Sequence, residues 1–240
     1  MAGHSKWNNI KRAKGKTDAA RAKVFTKIGR EIAVAVKLSG ADINANSRLR
    51  DAVSKAKAAN MPTDNITRGM KKASGELGSI DYEAILYEGY AVDGIAVMVE
   101  TLTDNKNRTA ADVRHIFDKY GAGLGTTGCV GYLFDRKGIV LIAKSAQTQE
   151  EILFNDALEA GADDFSADGD CYEIICSVSD YAQVRDILEQ KGYAVVQSSL
   201  EYVPYAYISL ENTDKFNKML DMFDENDDVQ NVYHNAQGGE

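Results

Sequence analysis

Hydrophobic positions recur at helical spacing through the first third of the chain and at strand spacing after it. From Thr17 or Asp18 to about Leu38, the residues Phe25, Ile28, Ile32 and Val36 fall within a sector of about 80° at roughly 100° per residue. Lys23, Lys27, Arg30 and Lys37 gather on the opposite side, and Gly40 supplies a stop signal. One face of this helix is therefore expected to be buried and the other to stay cationic. A second helix is predicted from Asn46 to Asn60, with Leu49, Val53 and Ala56 inward and Pro62 closing it. Thr63 or Asp64 can cap a third, short helix ending near Gly75. Three such segments make a small bundle. Residues 1–16 are too polar, and too rich in Lys and Asn, to pack alone; they read as an arm.

Near residue 76 the pattern changes. GELGSI reads as a linker, and EAILYEGYAVDGIAVMVETL as two strands joined through Asp93-Gly94, a hairpin signal. Thr109 opens a T-x-x-D capping box with Asp112, and Val113, Ile116, Phe117 and Tyr120 form the stripe of a core-facing helix. CVGYLF, at 129–134, reads as a strand. From about 138 the order is strand, helix (150–160), strand (163–166), strand (171–178), helix (180–190), strand (193–203), with Asp168-Gly169 between the middle strands. This βαββαβ series is the ferredoxin-like arrangement. A further strand, helix and strand follow Pro204, with Phe216, Met219, Leu220 and Phe223 as the helical stripe. Lacking partners of their own, they can complete the sheet begun at 82–102.

The expected fold class is therefore α+β: an N-terminal small helical bundle followed by two α/β domains, one ferredoxin-like and inserted in the other. The boundaries are a basic helical domain with its arm at 1–78, a discontinuous α/β domain at 79–129 plus 206–240, and the inserted domain at 130–205.

Charge sharpens this division. The 240-residue chain carries a formal net charge of -8, yet nine of its first thirty residues are Lys or Arg and only Asp18 is acidic. Residues 1–75 hold 17 Lys and Arg against 5 Asp and Glu, a net +12; residues 76–240 hold 11 against 31, a net -20. Such asymmetry points to a module that binds polyanions, attached to a differently charged body. The bland alternative is a solvated basic face. The densest apolar run, IVLIA at 139–143, is a strand's worth and far short of a membrane span. The basic start lacks the apolar stretch of a secretory signal. Cys129, Cys171 and Cys176 are an odd, sparse set, as expected of reduced thiols in a cytoplasm.

Catalytic readings fare poorly. GLGTTG at 123–128 matches G-x-G-x-x-G, but that motif binds a dinucleotide only after a strand and at the start of a helix. Here it follows a helix and precedes a strand, so a glycine-rich connection explains it better and no cofactor is expected. His4, His115 and His234 lie in three separate segments, outside any zinc motif. DMFDENDDVQ packs five carboxylates into 221–230 without the spacing or glycine of a calcium loop, so an acidic turn is the economical reading. A metal-dependent enzyme using the acidic residues at 224–228 stands as the rival from another class.

The arm suits a phosphate backbone. Lys6, Lys11, Arg12, Lys14 and Lys16 are spaced by small or polar residues, with Trp7 interleaved. Cationic side chains neutralise phosphates and release counterions, while an indole stacks on a base or sugar. Trp7 folding back on the bundle is the alternative. With Arg21, Lys23, Lys27 and Arg30 of the first helix behind them, these residues form the candidate nucleic-acid contact set.

AGHSKWNNIK, VFTKIGREI, RLRDAV with NMP after it, YEGY, DNKNRT followed by DVRHIF, KYGAGLG and DVQNVYHN together resemble the YebC family. The matches run from residue 2 to residue 235. The resemblance implies a helical N-terminal domain with two α/β domains, and membership among probable transcriptional regulators that bind DNA. Mitochondrial relatives are described as translational activators and bacterial relatives have been linked to ribosomes, so ribosomal RNA is the alternative target. It implies a nucleic-acid role for Lys6, Trp7, Lys11 and Arg12, and for Lys27 and Arg30. The chain departs from the family pattern at Ala122, where many members have glycine. Opening directly on AGHSKW, it leaves no room for a presequence, and a cytoplasmic protein is expected. The expected function is non-catalytic regulation of gene expression, with no membrane partner.

Overall fold

The computed structural model describes residues 18–75, 81–145 and 148–237. They form two compact units, one holding residues 135–203 and the other the described residues of 16–134 and 204–240.

The larger unit begins with three helices. Helix α1 (Asp18–Ser39) buries Ile28, Ile32 and Val36, and the chain leaves it through Gly40 at φ +83°. Helix α2 (Ser47–Ala58) is capped by Asn46, whose side-chain oxygen accepts from Leu49 N at 3.0 Å. The Asn46 amide also donates to Ala35 O and Gly40 O at 2.8 Å each, so one buried side chain fixes the turn between the two helices. Pro62 precedes helix α3 (Thr63–Ala73), whose Ile66 joins Ile32, Leu49, Val53 and Ala56 in a common core.

Strands β1 (Glu83–Ala91) and β2 (Ala96–Thr103) pair antiparallel across a turn in which Asp93 and Gly94 have φ of 58° and 73°. Helix α4 (Lys106–Tyr120) leads to the short strand β3 (Gly121–Leu124), which pairs with β1. The sequence pattern placed the cap of α4 at Thr109. Instead Asn105 caps it, accepting from Arg108 N at 3.1 Å, and Thr109 lies one turn inside. Residues 131–133 form a single 3-10 turn, so CVGYLF is a strand only from Phe134 onward. Ala122 lies exposed in β3 without a positive φ, so the backbone there does not require glycine.

After 204 come the two-residue strand β8 (Ile208–Ser209), helix α7 (Thr213–Glu225), strand β9 (Val229–His234) and strand β10 (Ala236–Gln237), which pairs parallel to β8. β9 pairs antiparallel with β2, giving the order β3-β1-β2-β9. Asp93 in the hairpin turn accepts from Glu211 N at 3.0 Å and Asn212 N at 2.8 Å, tethering the start of α7. The core of Val97, Val99, Val113, Phe117, Phe216, Met219 and Phe223 therefore joins residues from both sides of the intervening unit. Phe117 and Phe223 meet edge to face at 5.5 Å. Gly89 is demanded by this packing: a Cβ there would stand 2.6 Å from Phe117 Cε1 and 2.8 Å from Gly123 O.

The other unit runs β4 (Phe134–Ala143), α5 (Glu150–Ala160), β5 (Ala162–Asp168), β6 (Cys171–Ser177), α6 (Tyr181–Gln190) and β7 (Val195–Pro204). Its strand order β5-β6-β4-β7 is the ferredoxin-like one. Val140, Ile142, Leu153, Ile174, Val184 and Leu188 form a separate core. Cys171 and Cys176 are buried, and burial pushes the Cys176 thiol up to about 11.

Candidate nucleic-acid interface and the ion cluster behind it

The arm residues Lys6, Trp7, Lys11, Arg12, Lys14 and Lys16 lie outside the described residues. Arg21, Lys23, Lys27 and Arg30 are all on α1, where the helical period brings the last three to one side. The sequence pattern left that side in solvent. The structure turns it onto the acidic end of α7. Lys23 Nζ donates to Glu225 O at 3.3 Å and Lys27 Nζ to Asp224 O at 3.0 Å. These are carbonyls of the last turn of α7, which has no basic residue of its own there. Ammonium groups from α1 thus meet the negative pole of α7.

Arg30 goes deeper. Its guanidinium donates to Leu102 O at 2.7 Å and to Asp228 Oδ1, and it lies 5.3 Å over the Tyr82 ring. Asp228 is 3% exposed and collects donors from three elements. Arg108 Nη2 reaches Oδ2 at 2.8 Å and Oδ1 at 3.0 Å, and Thr109 Oγ1 reaches Oδ2 at 2.7 Å. Thr109 also bonds Thr103 Oγ1 at 2.7 Å, and Thr103 accepts from Asn105 N at 2.9 Å. Burial pushes the Asp228 carboxyl up, but the hydrogen bonds from Thr109, Arg30 and Arg108 outweigh it and hold the group below its ordinary value. The bonds that Arg108 donates to Asp228 and Asp104 in turn raise the guanidinium above its ordinary value. Two guanidinium groups on one buried carboxylate make a fixed ionic joint between α1, the start of α4 and the α7–β9 turn.

A cleft of about 460 Å³ opens beside this joint, lined by Asp104, Asp112, Glu225, Asn226 and Asp227 together with the paired residues. Among the described residues no three His, Cys, Asp or Glu side chains are arranged to hold a metal ion. Of the 224–228 carboxylates, Asp228 faces arginines and Asp224 faces Lys27 at 3.5 Å.

The glycine run has its own carboxylate. Glu88 Oε1 accepts from Gly128 N at 2.9 Å, and Oε2 accepts from Val130 N at 2.9 Å and Gly131 N at 2.7 Å. Backbone N–H groups at the end of the glycine run and just beyond it are thus satisfied by a residue of β1. Burial raises the Glu88 carboxyl, and the three backbone bonds more than reverse this. Gly125 is held close as well: a Cβ there would lie 2.3 Å from Cys129 Sγ.

Residue type alone did not single out Arg108, Thr103 or Glu88, and it gave Thr109 the role of a helix cap and Asp228 that of one acid in the 224–228 run. Their signal was present: they lie in YEGY, ETLTDNKNRT and DVQNVYHN, segments that the structure gathers around the two carboxylates.

Residues 5–76 match the model described as the TACO1/YebC protein N-terminal domain, and residues 82–236 match the TACO1/YebC second and third domain. A probable transcriptional regulatory protein of Acetivibrio thermocellus is 52% identical over 241 residues, covering 99% of this chain and 100% of that protein. One from Clostridium novyi is 52% identical over 239 residues, covering 99% and 97%. Among solved structures, the crystal structure of a conserved hypothetical protein from Aquifex aeolicus superposes with a TM-score of 0.84 at 40% identity, over 92% of each chain.

Proposed function

The chain belongs to the TACO1/YebC family, and from that premise we propose that it is a non-catalytic regulator of gene expression that binds nucleic acid through its N-terminal third. The single observation that carries this reading is the charge division, +12 over residues 1–75 against -20 over the rest. A cationic third is drawn to phosphate while the acidic remainder is repelled by it, so the polyanion is confined to one end. The relatives' description as probable transcriptional regulatory proteins agrees with such a role. No helix among the described residues is long and apolar enough to cross a membrane.

Within this reading, RNA is favoured over a promoter by the lysine-rich character of the basic third. Lysine meets phosphate as a point charge, and a phosphate contact supplies grip without sequence choice. Translation on the ribosome is then the specific form of the regulation. Competition by random against promoter DNA, followed by sucrose gradients with and without ribonuclease, tests it. The expected result is weak discrimination between the DNAs and a salt-sensitive ribosomal fraction. Strong promoter preference with absence from ribosomal fractions returns the role to transcription. Failure to bind either DNA or RNA at about 50 mM salt, where phosphate contacts are strongest, overturns the whole reading.

A further inference from the structure

The cations of residues 18–75 differ sharply in what they already hold. Lys23, Lys27 and Arg30 are committed to the α7 end and Asp228, Lys37 is paired with Asp81, and Lys55 donates to Glu31 at 2.9 Å. Arg50 donates to Asn44 O at 2.9 Å. Arg48 and Lys57 of α2 are exposed as well but stand nine residues apart, on opposite sides of their helix, whereas α3 gathers three exposed cations side by side. Ile66, Met70 and Ala73 pack inward on the bundle core, while Arg68, Lys71 and Lys72 are exposed on the other side. Arg68 bonds only the neutral Asn65 side chain, and Lys71 and Lys72 form no ion pair among the described residues. The one acid of α3, Asp64, stands in its first turn.

We propose that α3 is the phosphate-contacting element of the described N-terminal third, with Arg68, Lys71 and Lys72 meeting the backbone of RNA. The spacings i, i+3 and i+4 place these side chains as neighbours on the helix surface, with Cβ atoms about 5–6 Å apart. Three like charges so close repel one another, and a bound polyanion relieves that repulsion. The negative pole of α3 accommodates Lys71 and Lys72 in the last turn, but it does nothing for Arg68 a turn earlier. The rear of the helix is fixed on the bundle, so the stripe is presented on a rigid support rather than a loop. Lys23, Lys27 and Arg30 of α1, by contrast, must first abandon bonds to the α7 carbonyls, Leu102 O or Asp228. This assignment rests on the nucleic-acid reading above and moves its contact surface from α1 to α3.

The test uses the full chain and fluorescence anisotropy against a random-sequence DNA duplex and an RNA hairpin, across salt. The triple variant Arg68→Ala, Lys71→Ala, Lys72→Ala is expected to lose about tenfold or more in affinity at low salt. Its slope of log affinity against log salt should fall by about 2–3. A control lacking Arg136, Lys144 and Lys218, three cations elsewhere, should keep the parent slope. Unchanged affinity and slope in the α3 variant, with the parent still binding, overturns the α3 assignment and leaves the function intact. An equal loss in the control also overturns it, by showing a net-charge effect. A parent that binds neither probe overturns the function and the assignment together. If the triple variant does not fold, Lys71→Ala and Lys72→Ala singly carry the measurement, each lowering the slope by about 1. The parent should bind the RNA hairpin more tightly than the duplex; preference for the duplex overturns RNA as the occupant.

Discussion

Asp228 and Arg30 are 198 residues apart in sequence and directly hydrogen bonded in the fold, with the aspartate side chain 4% and the arginine side chain 12% exposed. The bond ties the first helix to the turn before the last long strand. A single carboxylate therefore holds together parts of the chain that would otherwise be free to rearrange.

Asp228→Asn keeps the shape but leaves the buried Arg30 guanidinium without a counter-charge. Its expected cost is about 3 kcal/mol, read from the urea midpoint of unfolding. Arg108→Ala should cost less, because that side chain is 45% exposed and water can replace part of what it supplied. Since the folded Asp228 carboxyl is held below its ordinary value, its stabilising effect is complete above pH ~3.9 and is lost as pH falls through the folded value.

Glu88→Gln retains one oxygen but replaces an acceptor by an amide donor facing N–H groups. A loss of about 1–3 kcal/mol is expected, with faster amide exchange at Gly128, Val130 and Gly131. Unchanged exchange at those three amides would show that the carboxylate does not hold the loop.

His234 gives a pH dependence in a different window. Its ring lies edge to face on Phe216 at 5.0 Å, its Nδ1 is buried without a partner, and burial pushes it down to about 4. An unfolded histidine protonates near pH ~6.5, so between about 6.5 and 4 the unfolded chain binds the extra proton. Stability from this group is present above pH ~6.5 and declines as pH falls, by about 2 kcal/mol between pH 7 and pH 5. His234→Gln should flatten that slope in urea titrations.

The unit built on β4 to β7 has its own sheet and core, whereas the sheet of β1 and β2 needs β9 and the aromatic stripe of α7. We accordingly propose 130–205 as an autonomous folding domain within 79–129 plus 206–240. A fragment of 130–205 should unfold cooperatively by circular dichroism, and one of 80–129 should not. A well-folded 80–129 fragment would refute the nesting.

Much of this was already written in the sequence, because it depends on neighbours along the chain. The stripe Ile28, Ile32, Val36 buries one side of a helix whatever lies beyond it, and Asp93-Gly94 favours its turn through local backbone freedom. The βαββαβ order of 138–203 followed from alternating periods, whereas the glycine run, read as a plain connection between a helix and a strand, begins inside strand β3. The segments that carried the family resemblance were legible as strings, without their purpose. What periodicity cannot supply is a partner 198 residues away. Lys27 and Arg30 have the helical positions of a solvent-facing stripe, and only the docking of α1 on the α7 end makes them internal donors. Asp228 reads as one acid among five in a polar run, and becomes the buried centre of an ionic joint because β9 pairs with β2 and draws it beside Arg108. Local spacing determines which side of an element is apolar; whether its charged side meets water or an opposite charge is decided by what the tertiary fold brings against it.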